Sequence, residues 1–361
     1  KYVNQLVKPP VFRPTIVKDP ITGEERSHNY TVAITEFIQQ ILPPPLPVTT
    51  VFGYEGIVTN PTTHKAMYWR SSPGPTFEAI RGIPTRVQWV NSLANPTLFS
   101  RDSMFQQESS DDIQNPVPVV THLHGGEVRS DSDGNPNSWF TAGEEKKGPD
   151  FLKSRYTYPN RQETATLWYH DHVLGTASLG IYAGLSGFYL LRDPDDNISP
   201  FLPSEEYEIP MVIQDRSFYE DGSLVIEDYS RSPQVHSYRT SQLIGNTIMV
   251  NGRVWPNLNV ERRQYLFRIL NGSNIRVYNL KLSTNQSFIQ IGSDGGYLPY
   301  PVELRELLIA PGERANILID FSKVEPERSI IMSNDANLPF PNGLAPDPET
   351  VGQIMQFTVL N

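Results

Sequence analysis

The sequence reads as an all-β protein, and three observations carry that expectation. Its 32 prolines and 24 glycines, set against only 19% charged residues, suit a chain of many turns and long loops. Short runs rich in Val, Ile, Tyr and Phe alternate apolar and polar residues with the period of a strand. Neither half carries a long amphipathic helical pattern.

Taken in order, residues 1–30 are polar and proline-bearing, and an extended arm is expected there. YTVAITEFIQQIL follows as a first strand. The prolines of LPPPLPVTT exclude that run from a sheet interior. In PGPTFEAIRGIPTRVQWVNSL, the positions of Phe77, Ala79, Val87, Trp89 and Val90 predict two strands joined by a turn at Gly82 to Pro84. Residues 95–117 read as a solvated loop. TATLWYHDH and IYAGLSGFYLLRD read as strand-rich, with VLGTASLG between them as a short helix. RDPDDNISPFLPSEEYEIP is dense in Pro, Asp and Ser and marks a domain boundary near 193–206. Strands resume in IPMVIQDRSF and continue to QIMQFTVLN. The expected division is an arm (1–30), a first domain (31–196), a linker (197–206) and a second domain (207–361). PTFEAIRGIPTRVQWVN (75–91) resembles PNLNVERRQYLFRILN (256–271), which points to an internal repeat and two related domains.

A net charge of −10 argues against a nucleic-acid partner, which needs a basic surface. No apolar stretch is long enough for a membrane span. The opening KYVNQLVKPPVF lacks the apolar core of a signal peptide. Cysteine is absent, so these residues offer neither a disulfide nor a thiolate metal ligand.

Histidine is where the chemistry concentrates. Four of the seven histidines fall in two H-x-H pairs, His122 and His124 in THLHGG and His170 and His172 in WYHDH. On a strand, residues i and i+2 face the same way, so each pair presents two imidazoles side by side. Two such strands together offer four nitrogen ligands, a set that suits copper, zinc, iron or nickel. A zinc hydrolase built on H-D-H would need a carboxylate ligand or base beside the metal. Asp171 lies between two histidines and is expected on the opposite strand face, where it anchors the strand or orients an imidazole.

THLHGG, DSDGNPNSW, WYHDH and YAGLSGFYLLRD resemble the first domain of multicopper oxidases, most of all the bacterial spore-coat laccases and bilirubin oxidases. NGRVWPNLNVERRQYLFRILNGSNIRVYNL, IQIGSDGGYL and LIAPGERANILIDF resemble the second domain of that family. The resemblance implies tandem cupredoxin-like Greek-key sandwiches, two of the family's three domains. It implies that His122 would bind the type 2 copper of a trinuclear centre and that His124, His170 and His172 would bind the type 3 pair. It further implies a laccase-type oxidase acting on phenolic or bilirubin-like tetrapyrrole substrates, with dioxygen reduced to water, in a spore coat or an extracellular or periplasmic setting.

The sequence departs from the family in lacking H-C-H and a second set of H-x-H pairs. The third cupredoxin domain, the type 1 copper and half of the trinuclear ligands are therefore expected from another polypeptide or a missing C-terminal part, and the chain alone is expected to be inactive. The alternative is a non-catalytic copper-binding or coat scaffold. By resemblance, Asp133 in HGGEVRSDSDG is the candidate for proton supply, with Glu127 and Asp131 as alternatives; the plain reading of SDSDG is a polar turn. Trp139 and Trp168 are expected to pack around the histidine strands, and His28, His64 and His236 to supply surface or loop polarity.

Overall fold

The computed structural model describes residues 1–98, 117–226 and 243–361. The expected loop at 95–117 falls largely outside these, as does His236.

Among the described residues, the first half holds eleven strands and one α-helix: β1 (Val11–Phe12), β2 (Thr15–Lys18), β3 (Glu25–Gln39), β4 (Thr49–Thr59), β5 (Ala66–Ser71), β6 (Gly74–Ile80), β7 (Thr85–Asn91), β8 (Thr121–His124), β9 (Arg155–Tyr158), β10 (Ala165–Asp171), α1 (Ala177–Ala183) and β11 (Ser186–Arg192). One layer runs β8-β10-β11-β6 and the other β4-β3-β7-β9, with the two-residue β1 pairing to both β6 and β4. Between the layers, Tyr54, Phe77, Trp89 and Tyr169 meet mostly edge to face with ring centroids 4.8–6.2 Å apart, an arrangement that suits the ring quadrupoles.

The second half continues with β12 (Glu208–Arg216), β13 (Thr247–Val250), β14 (Arg253–Val254), β15 (Asn257–Val260), β16 (Gln264–Asn271), β17 (Tyr278–Leu282), β18 (Phe288–Ser293), β19 (Gly296–Leu304), β20 (Leu307–Ile309), β21 (Arg314–Asp320), β22 (Ser329–Asn334) and β23 (Gln353–Val359). The sheet β14-β13-β12-β16-β21-β18-β19 packs against β15-β23-β22-β17-β20 around a core that includes Phe267, Ile317, Phe321 and Phe357.

The two repeat segments occupy matching places. β6 runs parallel to β11 and β15 parallel to β23, the last strand of each half. β7 runs parallel to β3, and β16 to β12. Neither pair is a hairpin: each turn carries the chain from one layer to the other. A period-2 pattern identifies a strand without naming its partner.

Four expectations are corrected. The arm is not separate from the sheets, since β1, β2 and the start of β3 lie within residues 11–30, and Tyr2 and Leu6 donate backbone hydrogen bonds to Trp255 and Asn257 of the second half. Thr49 and Thr50, at the end of the excluded proline run, already belong to β4. The helix is shifted C-terminally into IYAG, ending where Gly184 turns the chain at φ 130° into β11. His28 is buried, not surface-exposed, with Nε2 2.7 Å from Glu25 Oε2. His64 sits in an exposed turn.

An ion network joins the halves. Glu208, its side chain 8% exposed, accepts two hydrogen bonds from Arg192 at 2.7 and 2.9 Å and one from Arg268 Nε. Arg268 also reaches Thr166 Oγ1 on β10 at 3.0 Å. Burial alone would raise the Glu208 carboxyl, but Arg268 and Arg192 hold it down at about 2. Because its folded value lies below its unfolded value, the carboxylate stabilises the fold fully above about pH 4.5 and loses that contribution as pH falls toward 2. Urea unfolding should show the wild type losing about 3 kcal/mol more than Glu208→Gln between pH 6 and pH 2. The variant should also be less stable at pH 6, since it leaves the buried Arg268 guanidinium without its carboxylate.

Candidate metal centre

β8 pairs with β10 antiparallel, and the register sets His122 opposite His170 and Trp168 opposite His124. Directly opposed residues share a sheet face, so these four rings stand together. Thr121, Leu123, Tyr169 and Asp171 take the other face, toward the core. His172, one residue past β10, keeps the alternation because its backbone N–H continues the ladder to Val120 O at 2.9 Å. The Asp171 carboxylate accepts from the Val120 N–H at 3.2 Å on that opposite face, and burial pushes its carboxyl up to about 8. Gly180 of α1 makes room for it, since a Cβ there would lie 2.4 Å from Oδ2.

His122, His124 and His170 offer ligand nitrogens that all lie within 4.8 Å of one another. His172 stacks on His122 with ring centroids 4.7 Å apart and tilted by 22°, so it stands beside this trio, outside it. His124 Nδ1 and His170 Nε2 face each other at 3.2 Å.

Backbone carbonyls fix three of the four rings. His122 Nδ1 lies 2.5 Å from Asp133 O, His172 Nδ1 3.0 Å from Gly134 O and His170 Nδ1 2.8 Å from Asp171 O. A carbonyl only accepts, so each Nδ1 carries the proton and each Nε2 keeps its lone pair, the one on His170 facing His124 Nδ1. The SDSDG segment is thus more than a polar turn. A short 3-10 turn at Ser130–Ser132 leads into it, and two successive carbonyls grip two ligand candidates. Gly134 sits at φ +75°, where a Cβ would lie only 2.2 Å from Thr121 O.

Three of the imidazoles are pushed toward the neutral form that metal ligation requires. Burial depresses His170 well below the ordinary range. Burial, and then the Arg314 guanidinium, bring His124 to about 4. Burial also lowers His122, against the opposing pull of Asp133. No carboxylate joins the three-nitrogen group among the described residues. The nearest acid, Asp133, has Oδ1 3.4 Å from His122 Nδ1, on the side of the ring away from Nε2. That placement disfavours the hydrolase reading. Asp131 is engaged with Lys153 at 2.9 Å, and the Glu127 backbone N–H with Gln162 at 2.6 Å.

Trp168 stacks on His124 and on His170 at centroid distances of 5.2 and 4.2 Å, while Trp139 packs at the edge of the first core. The second half also reaches the site. A Cβ on Gly312 would lie 3.6 Å from His124 Cε1, and Arg314 stands behind it. Sequence reasoning missed both residues, because nothing local in APGER says which strand of the other half it meets.

Gly134→Ala should displace both gripping carbonyls. A fall in copper uptake of at least tenfold is expected by metal analysis, with a loss of thermal stability of about 2 kcal/mol or more. Asp133→Asn keeps the backbone carbonyl and should leave copper uptake unchanged.

Two multicopper oxidase family models match the chain, at residues 113–196 and 212–346. A laccase of Bacillus subtilis is 40% identical over 99% of this chain and 65% of its own length. The multicopper oxidase LPR1 of Arabidopsis thaliana is 38% identical over 88% of this chain and 52% of its own. The crystal structure of the McoA multicopper oxidase of Aquifex aeolicus superimposes with a TM-score of 0.71 at 27% identity, covering 99% of this chain and 65% of that one. The chain thus spans about two thirds or less of the length of these relatives. Both halves are cupredoxin-like sandwiches, and the chain belongs to the multicopper oxidase family.

Proposed function

We propose that this chain is the part of a laccase-type multicopper oxidase that supplies half of its trinuclear copper site. In this reading His122 serves the type 2 ion, and His124, His170 and His172 serve the type 3 pair. The observation that carries the reading is the β8–β10 register, which gathers four imidazoles, three of them with the Nδ1 proton tied to a carbonyl so that Nε2 is the atom left with a lone pair. Such a donor set fits copper, and bound copper supplies the one-electron chemistry that dioxygen reduction needs.

The residues present have separable tasks. The carbonyls of Asp133, Gly134 and Asp171 orient the ligands. Trp168 excludes water from one flank of His124 and His170. Asp133, with a half-exposed carboxylate beside His122, hands protons inward from solvent. The electron-entry copper needs a thiolate, and the chain has no cysteine. That ligand and the remaining histidines come from a third cupredoxin domain outside these 361 residues. The reducing substrate, a phenol or a bilirubin-like tetrapyrrole, meets the enzyme there. The boundary between the two domains present falls at 197–206, a placement supported by two main cores, one drawn chiefly from residues before it and one from residues after it.

Metal analysis and electron paramagnetic resonance on copper-loaded protein test the site. His170→Ala should lose most of the copper bound at these histidines, and undiminished copper in that variant would overturn the assignment. In the oxidase completed by its third domain, Asp133→Asn should slow dioxygen reduction roughly 10²-fold at unchanged copper content. The deficit should deepen as pH rises and bulk protons become scarce.

A further inference from the structure

Arg314 opens β21 in the second half, yet its guanidinium reaches across to the histidine strands of the first. Its side chain is 2% exposed. Nε donates to Thr166 O on β10 at 2.9 Å, Nη1 to Gly312 O at 2.9 Å and Nη2 to Asp294 O at 3.0 Å. Asp294 Oδ1 lies 3.3 Å from Nη1 and also accepts from the Arg314 backbone N–H at 2.8 Å. The guanidinium lies directly under Gly125, the residue after His124: a Cβ on Gly125 would be 2.7 Å from Nη2. The Gly312 turn that it secures faces His124 and Trp168, 3.6 and 3.7 Å from where a Gly312 Cβ would stand.

One planar group therefore holds β10 just upstream of Trp168 and His170, underlies the exit of β8, and fixes the wall against His124. A fork of directed donors can do this, whereas a single ammonium on a flexible stem cannot meet all three carbonyls. We infer that Arg314 is a positioning residue for copper, through which the second domain locks the His124–His170 end of a site whose ligands from this chain all belong to the first. This rests on the copper reading proposed above.

Arg268 is the natural control. It crosses the same boundary and reaches the same Thr166, but through the side-chain hydroxyl, and it shows no contact with Gly125 or the Gly312 turn. Copper-loaded protein is titrated with a chelator, and thermal unfolding of the metal-free protein is followed in parallel. Arg314→Met should weaken copper retention at least tenfold, and Arg314→Lys should remain severalfold weak although it keeps the charge. Arg268→Met should lower metal-free stability yet hold copper within about twofold of wild type. Wild-type retention in both Arg314 variants would overturn the inference, as would an equal loss in Arg268→Met, which would reduce Arg314 to general adhesion between the domains. If Arg314→Met does not fold, the lysine variant decides alone. If the wild type itself takes up no copper, the copper reading falls and this inference falls with it.

Discussion

The site depends on the register of one strand pair. β8 is only four residues long, yet it places His122 against His170 and His124 against Trp168. A slip of one residue would turn both histidines of THLH toward the core and bring Thr121 and Leu123 to the site. The surroundings hold this register from several sides. Leu123 and Tyr169 are buried in the aromatic core, the Asp171 carboxylate holds the Val120 N–H, and Gly134 presses its backbone flush against Thr121. The core of the first half therefore does two jobs at once: it supplies hydrophobic stability, and it fixes which way four imidazoles point.

Burial then sets the chemistry. Imidazoles withdrawn from water are neutral at physiological pH, and neutral imidazole is the form that binds metal. The carbonyls of residues 133, 134 and 171 spend the one N–H of each of three rings, so the tautomer follows from the backbone. His124 differs: its Nδ1 faces His170, and its outer flank is closed by Trp168 and by Gly312 from the other half. The second half thus takes part in the site without contributing a ligand, through the Gly312 turn against His124 and the Arg314 hydrogen bond to Thr166 O on β10.

Much of this was legible in the sequence because strand periodicity is short-ranged. The H-x-H spacing alone predicts two imidazoles on one face, and the opposite placement of Asp171 follows from the same rule. The repeat at 75–91 and 256–271 was legible as pattern, and the structure gives it matching parallel partners. What stayed hidden is what period-2 patterns do not encode. The partner of a strand is one example: the turn at Gly82 to Pro84 was legible, but not that it carries the chain from one layer to the other. The burial of His28 is another, since it depends on β3 lying between β2 and β7. Backbone carbonyls have no sequence signature, and SDSDG looked like a solvated turn. Arg314 lies far along the chain from the histidines it supports.

The most direct test of the account is a crystal structure of the copper-loaded protein with anomalous scattering measured at the copper edge. The account predicts anomalous peaks at the cluster of His122, His124 and His170, with His172 engaged beside it and every Nδ1 now bound to a carbonyl unchanged. Copper found elsewhere, or these four rings turned away from the metal, would contradict it.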